Sequence, residues 1–73
     1  MEIIRRIDDS IREGATGRPE DFAANIGISR TKLHRLLNVM KSLNAPIIFD
    51  SEKKSYLYTE PVTFNFGFYK NKP

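Results

Sequence analysis

The chain predicts an α+β fold, three helices followed by a β-hairpin, and three observations carry that expectation. Apolar residues recur at helical spacing in two stretches of the first half. Proline, glycine and serine stand between residues 19 and 29 where helices start and stop. After Asn44 the pattern changes to short runs rich in β-branched and aromatic residues, separated by turn residues.

The first helix is expected over Glu2 to Glu13, with Ile4, Ile7 and Ile11 as its inner stripe and Ile3 beside them. Arg5 with Asp9 and Asp8 with Arg12 are i,i+4 ion pairs, each worth a few tenths of a kcal/mol. Gly14 is the expected stop. Ala15 to Arg18 is a connector, because Gly17 and the pre-proline Arg18 are both biased against helix.

Pro19 opens a second, short helix, where its missing N–H leaves no bond unmade. Glu20 and Asp21 follow in the first turn, where negative charge suits the helix dipole. Gly27 sits where a left-handed residue ends that helix, and Ala23, four residues earlier, is small enough for a close helix crossing. Ser29 is the N-cap of the third helix, its hydroxyl accepting from a free backbone N–H.

This third helix has two faces. Leu33, Leu36, Leu37, Met40 and Leu43 form one apolar stripe at helical period. Thr31, Arg35 and Asn38 lie opposite it, with Arg30 and His34 on the flank nearest the start. The outward face offers cations and short hydrogen-bonding groups and no carboxylate. Such a face suits the major groove of DNA, where Arg grips guanine, Asn grips adenine and Thr or Ser serves either. Ser29, Arg30, Thr31, His34, Arg35 and Asn38 are the candidate groove contacts, and Lys32 and Lys41 the candidate backbone contacts.

Asn44 ends the third helix and Pro46 prevents its return. Ile47 to Phe49 and Ser55 to Tyr58 read as two strands joined by a polar turn that carries Lys53 and Lys54. Pro61 to Phe68 reads as a further strand, since Val62, Phe64, Phe66 and Phe68 alternate with Thr63, Asn65 and Gly67. Residues 1–68 make one domain, and Tyr69 to Pro73 a short basic tail.

The run Phe22, Ala23, Ile26, Gly27, Ile28, Ser29, Arg30, Leu33 and Leu36 resembles the helix-turn-helix of bacterial winged-helix regulators, in particular the short type that opens biotin-repressor-like proteins. Ala45 to Asp50 and Lys53 to Tyr58 look like that family's wing, so the resemblance covers residue 3 to about residue 60. It implies a winged helix-turn-helix, a one- or two-residue strand within residues 15–18, and double-stranded DNA as partner. Lys53 and Lys54 become wing contacts. Arg18, beside the start of the second helix, is read either as a phosphate contact or as an exposed loop residue.

Charge distribution agrees with this reading. Of 12 basic and 9 acidic residues, net +3, residues 29–49 hold four basic and no acidic ones, net +4. Residues 1–28 carry −2 and residues 50–73 carry +1. Positive charge thus gathers on the helix that would lie along phosphates. Its plainer reading is a solvated helix face.

Composition removes other classes. No cysteine is present, so no disulfide, zinc-thiolate site or thiol nucleophile is available. A single His argues against an all-protein catalytic metal site. There is no carboxylate pair in a plausible cleft, no Gly-rich phosphate loop and no nucleophile–base arrangement, so no enzyme and no cofactor is expected. No apolar run reaches a membrane span, and the start lacks a signal-peptide pattern, which predicts a cytoplasmic protein. No small-molecule ligand is implied. The expected function is sequence-specific DNA binding by a small bacterial or mobile-element transcriptional regulator. The alternative is a protein-interaction module that uses the aromatic strand. A two-fold homodimer through Pro61 to Phe68 is expected, against a monomer whose last strand covers its own helices.

Overall fold

The computed structural model describes residues 2–64 and 68–70, with residues 63, 64 and 68–70 described by backbone alone. Helices α1 (Glu2–Glu13), α2 (Pro19–Ile26) and α3 (Arg30–Ser42) precede strands β1 (Ile47–Asp50) and β2 (Ser55–Tyr58). The chain is therefore α+β, three helices and a two-stranded antiparallel sheet, an arrangement compatible with a winged helix.

The helix ends follow local chemistry. Gly14, at φ 72°, turns the chain out of α1 and donates its N–H to Ile11 O at 3.0 Å. Pro19 opens α2, and Gly27, at φ 87°, closes it. The Gly27 N–H bonds the carbonyls of Ala23 and Ala24, and the Ile28 N–H bonds Ala23 O at 3.0 Å. These bonds satisfy carbonyls that have no partner within the helix. Ser29 Oγ accepts the Lys32 N–H at 3.0 Å and caps α3. Asn44, left-handed at φ 77°, follows its last turn.

One core joins the helices to the sheet. Ile7 and Ile11 of α1, Phe22, Ala23 and Ile26 of α2, and Leu33, Leu37 and Met40 of α3 are buried with Ala45, Ile47, Tyr56 and Val62. Leu36 and Leu43, expected in the same stripe, are half-buried against it. Burying each large side chain contributes roughly 1.5–3 kcal/mol.

β1 pairs with β2 in the register Ile47↔Tyr58, Ile48↔Leu57, Phe49↔Tyr56 and Asp50↔Ser55. β1 begins at Ile47 as expected and runs one residue further toward the turn, to Asp50. Asp50 Oδ1 accepts the N–H groups of Glu52 at 2.9 Å and Lys53 at 3.1 Å, which folds the turn, and Lys54 is left-handed at φ 52°.

The connector carries no strand within residues 15–18. A side chain takes that place. Thr16 is buried and its Oγ1 accepts the Tyr56 N–H at 2.9 Å, on the edge of β2 that faces away from β1. The same hydroxyl donates to Gly17 O at 3.0 Å. A second tie runs from α1. Tyr58 donates its phenol proton to Asp8 Oδ1 at 2.5 Å, and Arg12 Nε donates to both Asp8 oxygens at 3.0–3.1 Å. Arg12 also donates to Val62 O at 2.5 Å and lies 5.5 Å from the Tyr58 ring centroid. The expected Asp8–Arg12 pair is therefore the base of a longer chain of contacts.

The C-terminal segment departs from expectation. Residues 61–68 do not form a single strand. Val62–Phe64 (β3) pairs antiparallel with Phe68–Lys70 (β4), with Phe64 and Phe68 as Cα partners. An alternating pattern continues across a reversal of the chain, so it does not reveal the reversal. Tyr69 and Lys70, expected in a tail, belong to β4. Phe66, one of the expected aromatic row, lies outside the described residues.

Candidate nucleic-acid interface

The outward face of α3 is built by the burial of the inward one. With Leu33, Leu37 and Met40 packed inside, helical geometry turns Arg30, Thr31, Lys32, His34, Arg35, Asn38 and Lys41 to solvent, and all seven are exposed. Ser29 is exposed as well, its oxygen engaged as the cap while its proton is free to be donated. Among the described residues no carboxylate lies between Ser29 and Phe49. No group of His, Asp and Glu there is arranged to hold a metal ion, and His34 stands on the surface.

The middle of the hairpin packs against α2. Tyr56 is buried between Phe22, 5.8 Å away between ring centroids, and Phe49, which meets it edge-on at 5.1 Å. Burial raises the Tyr56 phenol above its ordinary pKa. The Arg30 cation works against that shift and the Glu20 carboxylate adds to it. Both charges therefore act at the Tyr56 hydroxyl from the first turns of α2 and α3. Neither Phe49 nor Tyr56 was a sequence candidate. Aromatic residues in a strand carry no mark that tells a core position from a place beside a charged helix end.

Arg18 is exposed at the N-cap of α2, its carbonyl accepting the Phe22 N–H at 2.8 Å. Lys53 and Lys54 are exposed on the hairpin turn. Lys53 also lines an open groove of about 510 Å³ with Arg12, Gly14, Leu57 and Pro61, none of which belongs to α3. The structure thus brings eight candidates together from Ser29 to Lys41. The turn lysines stand on a separate element, between β1 and β2. No family model, curated protein or solved structure matches the chain. Among the described residues no helix is long and apolar enough to cross a membrane.

Proposed function

We propose that this chain is a winged helix-turn-helix that binds double-stranded DNA, with α3 in the major groove and the β1–β2 hairpin as its wing. One observation carries the reading. α3 exposes Arg30, Lys32, Arg35 and Lys41 together with Thr31, His34 and Asn38, while no acidic residue stands on it. Cations supply affinity for phosphates, and Arg, Asn and Thr supply base-edge chemistry at spacings one helix face presents. The cap at Ser29 and the packing of Leu33 and Leu37 hold that face rigid. On this reading the protein is a small transcriptional regulator acting in the cytoplasm. It works without catalysis or cofactor.

Selection of binding sites from random duplex DNA tests the proposal, followed by titration of the enriched duplex at several salt concentrations. A reproducible motif, bound with an affinity that falls linearly on a logarithmic salt scale, is the expected result. Absence of duplex binding at low salt refutes it.

A further inference from the structure

The two edges of the hairpin are treated differently. Thr59 donates its N–H to Pro46 O at 2.8 Å, one step beyond the Ile47↔Tyr58 pair. That bond sets the phase of the ladder. Ile48↔Leu57 and Asp50↔Ser55 are the pairs that exchange hydrogen bonds, and the backbone groups of Ile47, Phe49 and Tyr56 point outward. On the β2 side the outward Tyr56 N–H is taken by Thr16 Oγ1. On the β1 side the Ile47 N–H is taken by Ala45 O at 3.0 Å. Among the described residues, nothing bonds the Ile47 carbonyl or the Phe49 N–H.

These two groups are an acceptor and a donor two residues apart, with Ile48 between them. A strand edge of this kind is its own complement under a two-fold axis. We propose that β1 pairs antiparallel with β1 of a second copy of this chain, the axis passing beside Ile48. Phe49 N–H of each copy then donates to the Ile47 carbonyl of the other. Ile48 faces Ile48 of the second copy as a non-hydrogen-bonded pair, the closer of the two antiparallel spacings, with Cα atoms about 4.5 Å apart. Phe49 comes to lie opposite Ile47 of the second copy. Ile48 is 47 % exposed and Phe49 40 %, and they are two of the three exposed large hydrophobic residues in the described chain. They stand on opposite faces of the strand, and the one pairing covers both.

Charge permits the contact and usual safeguards are missing. Ala45 to Phe49 carries no charged residue, and the one charged residue of β1, Asp50, would lie opposite Pro46 of the other copy, so no like charges face each other. Natural edge strands are commonly blunted by lysine, proline or a bulge, and β1 has none of these between Ile47 and Phe49. β3, the strand expected to dimerise, already pairs along one edge with β4 of its own chain. The β1 contact is short, so it makes a weak dimer of the transient class. This inference does not rest on DNA binding.

The test uses the full chain, which has no cysteine of its own. Ile48→Cys puts two thiols across the axis, at a spacing a disulfide accepts. Glu52→Cys, exposed on the turn four positions away, keeps its copies apart. Under mild oxidation Ile48→Cys is expected to form a reducible covalent dimer about tenfold faster than Glu52→Cys, because pairing raises the local thiol concentration. Sedimentation equilibrium should show the unmodified chain passing from monomer to dimer across the micromolar range, and Ile48→Lys remaining monomeric. Equal crosslinking of the two cysteine variants, a chain that stays monomeric throughout, or a dimer undisturbed by Ile48→Lys in a folded protein each overturns the proposal. Should Ile48→Lys fail to fold, the crosslinking rates decide.

Discussion

Removing one oxygen atom from Thr16 should cost the protein more than its size suggests. Thr16→Val keeps the branched shape and replaces Oγ1 by a methyl group. Thr16 is 2 % exposed and Tyr56 7 %, so water does not replace the lost acceptor. The Tyr56 N–H, now 2.9 Å from that oxygen, becomes a buried donor without a partner, and Gly17 O loses its donor too. A buried polar group left unsatisfied costs about 1–3 kcal/mol, and about 2 kcal/mol is the central expectation. For a domain of this size each kcal/mol moves the thermal midpoint by about 4–8 °C, so Thr16→Val should melt about 8–16 °C lower. Thr16→Ser retains the oxygen and loses one methyl, worth about 0.8 kcal/mol. Thermal unfolding followed by circular dichroism compares the two variants, and hydrogen exchange read at the Tyr56 amide locates the effect. A Thr16→Val protein as stable as Thr16→Ser, or with an equally protected Tyr56 amide, refutes the argument that this hydroxyl holds the edge of β2.

Three further outcomes are expected. On the proposed DNA reading, Arg35→Ala should lose about 1–3 kcal/mol at the preferred site and relax sequence choice, measured by fluorescence anisotropy. Equal weakening on random duplex would reduce Arg35 to a phosphate contact. Lys53→Ala combined with Lys54→Gly, chosen because Gly accepts the left-handed backbone at position 54, should weaken all sequences alike and flatten the salt slope by about two contacts. An unchanged slope would remove the hairpin turn from the interface. Burial, the hydrogen bond to Asp8 and the Asp8 charge push the Tyr58 phenol far above its ordinary pKa of 10.0, so the folded state holds that proton more tightly than the unfolded chain. Its contribution to stability is complete below the unfolded value and falls away as pH rises beyond it. Denaturant titrations through the alkaline range should show that loss in the native protein and a flatter profile in Tyr58→Phe. Parallel profiles would contradict it.

Much of the fold was legible because its boundaries are written in local chemistry. Pro19, Gly27, Ser29 and Pro46 act on backbone within a turn of themselves, and each lies where the sequence placed it. The outward face of α3 was legible for a related reason, since helical period assigns every side chain once one stripe is known to be buried. The contacts of Arg12 were not. Its pairing with Asp8 is four residues away and readable, but Val62 O is 50 residues away and reached only after folding. Thr16 is similar, an unremarkable connector residue until the β2 edge arrives 40 residues later. The reversal between β3 and β4 was missed because alternation of Val62, Phe64 and Phe68 is the same on a continuing strand and on a returning one.

Hydrogen-bond phase belongs to that second kind of information, and it governs what the hairpin can do. Hydrophobic pattern places Ile47 and Tyr56 inward, yet it does not say whether their backbone groups point into the pair or away from it. The Thr59–Pro46 bond settles this, and its consequence differs on the two sides. On the β2 side the outward donor at Tyr56 is met by a threonine on a connector held between α1 and α2. On the β1 side the outward groups flank a half-exposed isoleucine, and among the described residues no strand lies along that edge. A one-residue slip of register would turn Ile48 inward and the buried Ile47 out. The side chains that seal the core therefore also select which backbone groups remain on the open edge. Thr16 and Ile48 test the two halves of that statement separately: loss of the first should loosen the hairpin within one chain, and change of the second should alter only how two chains meet.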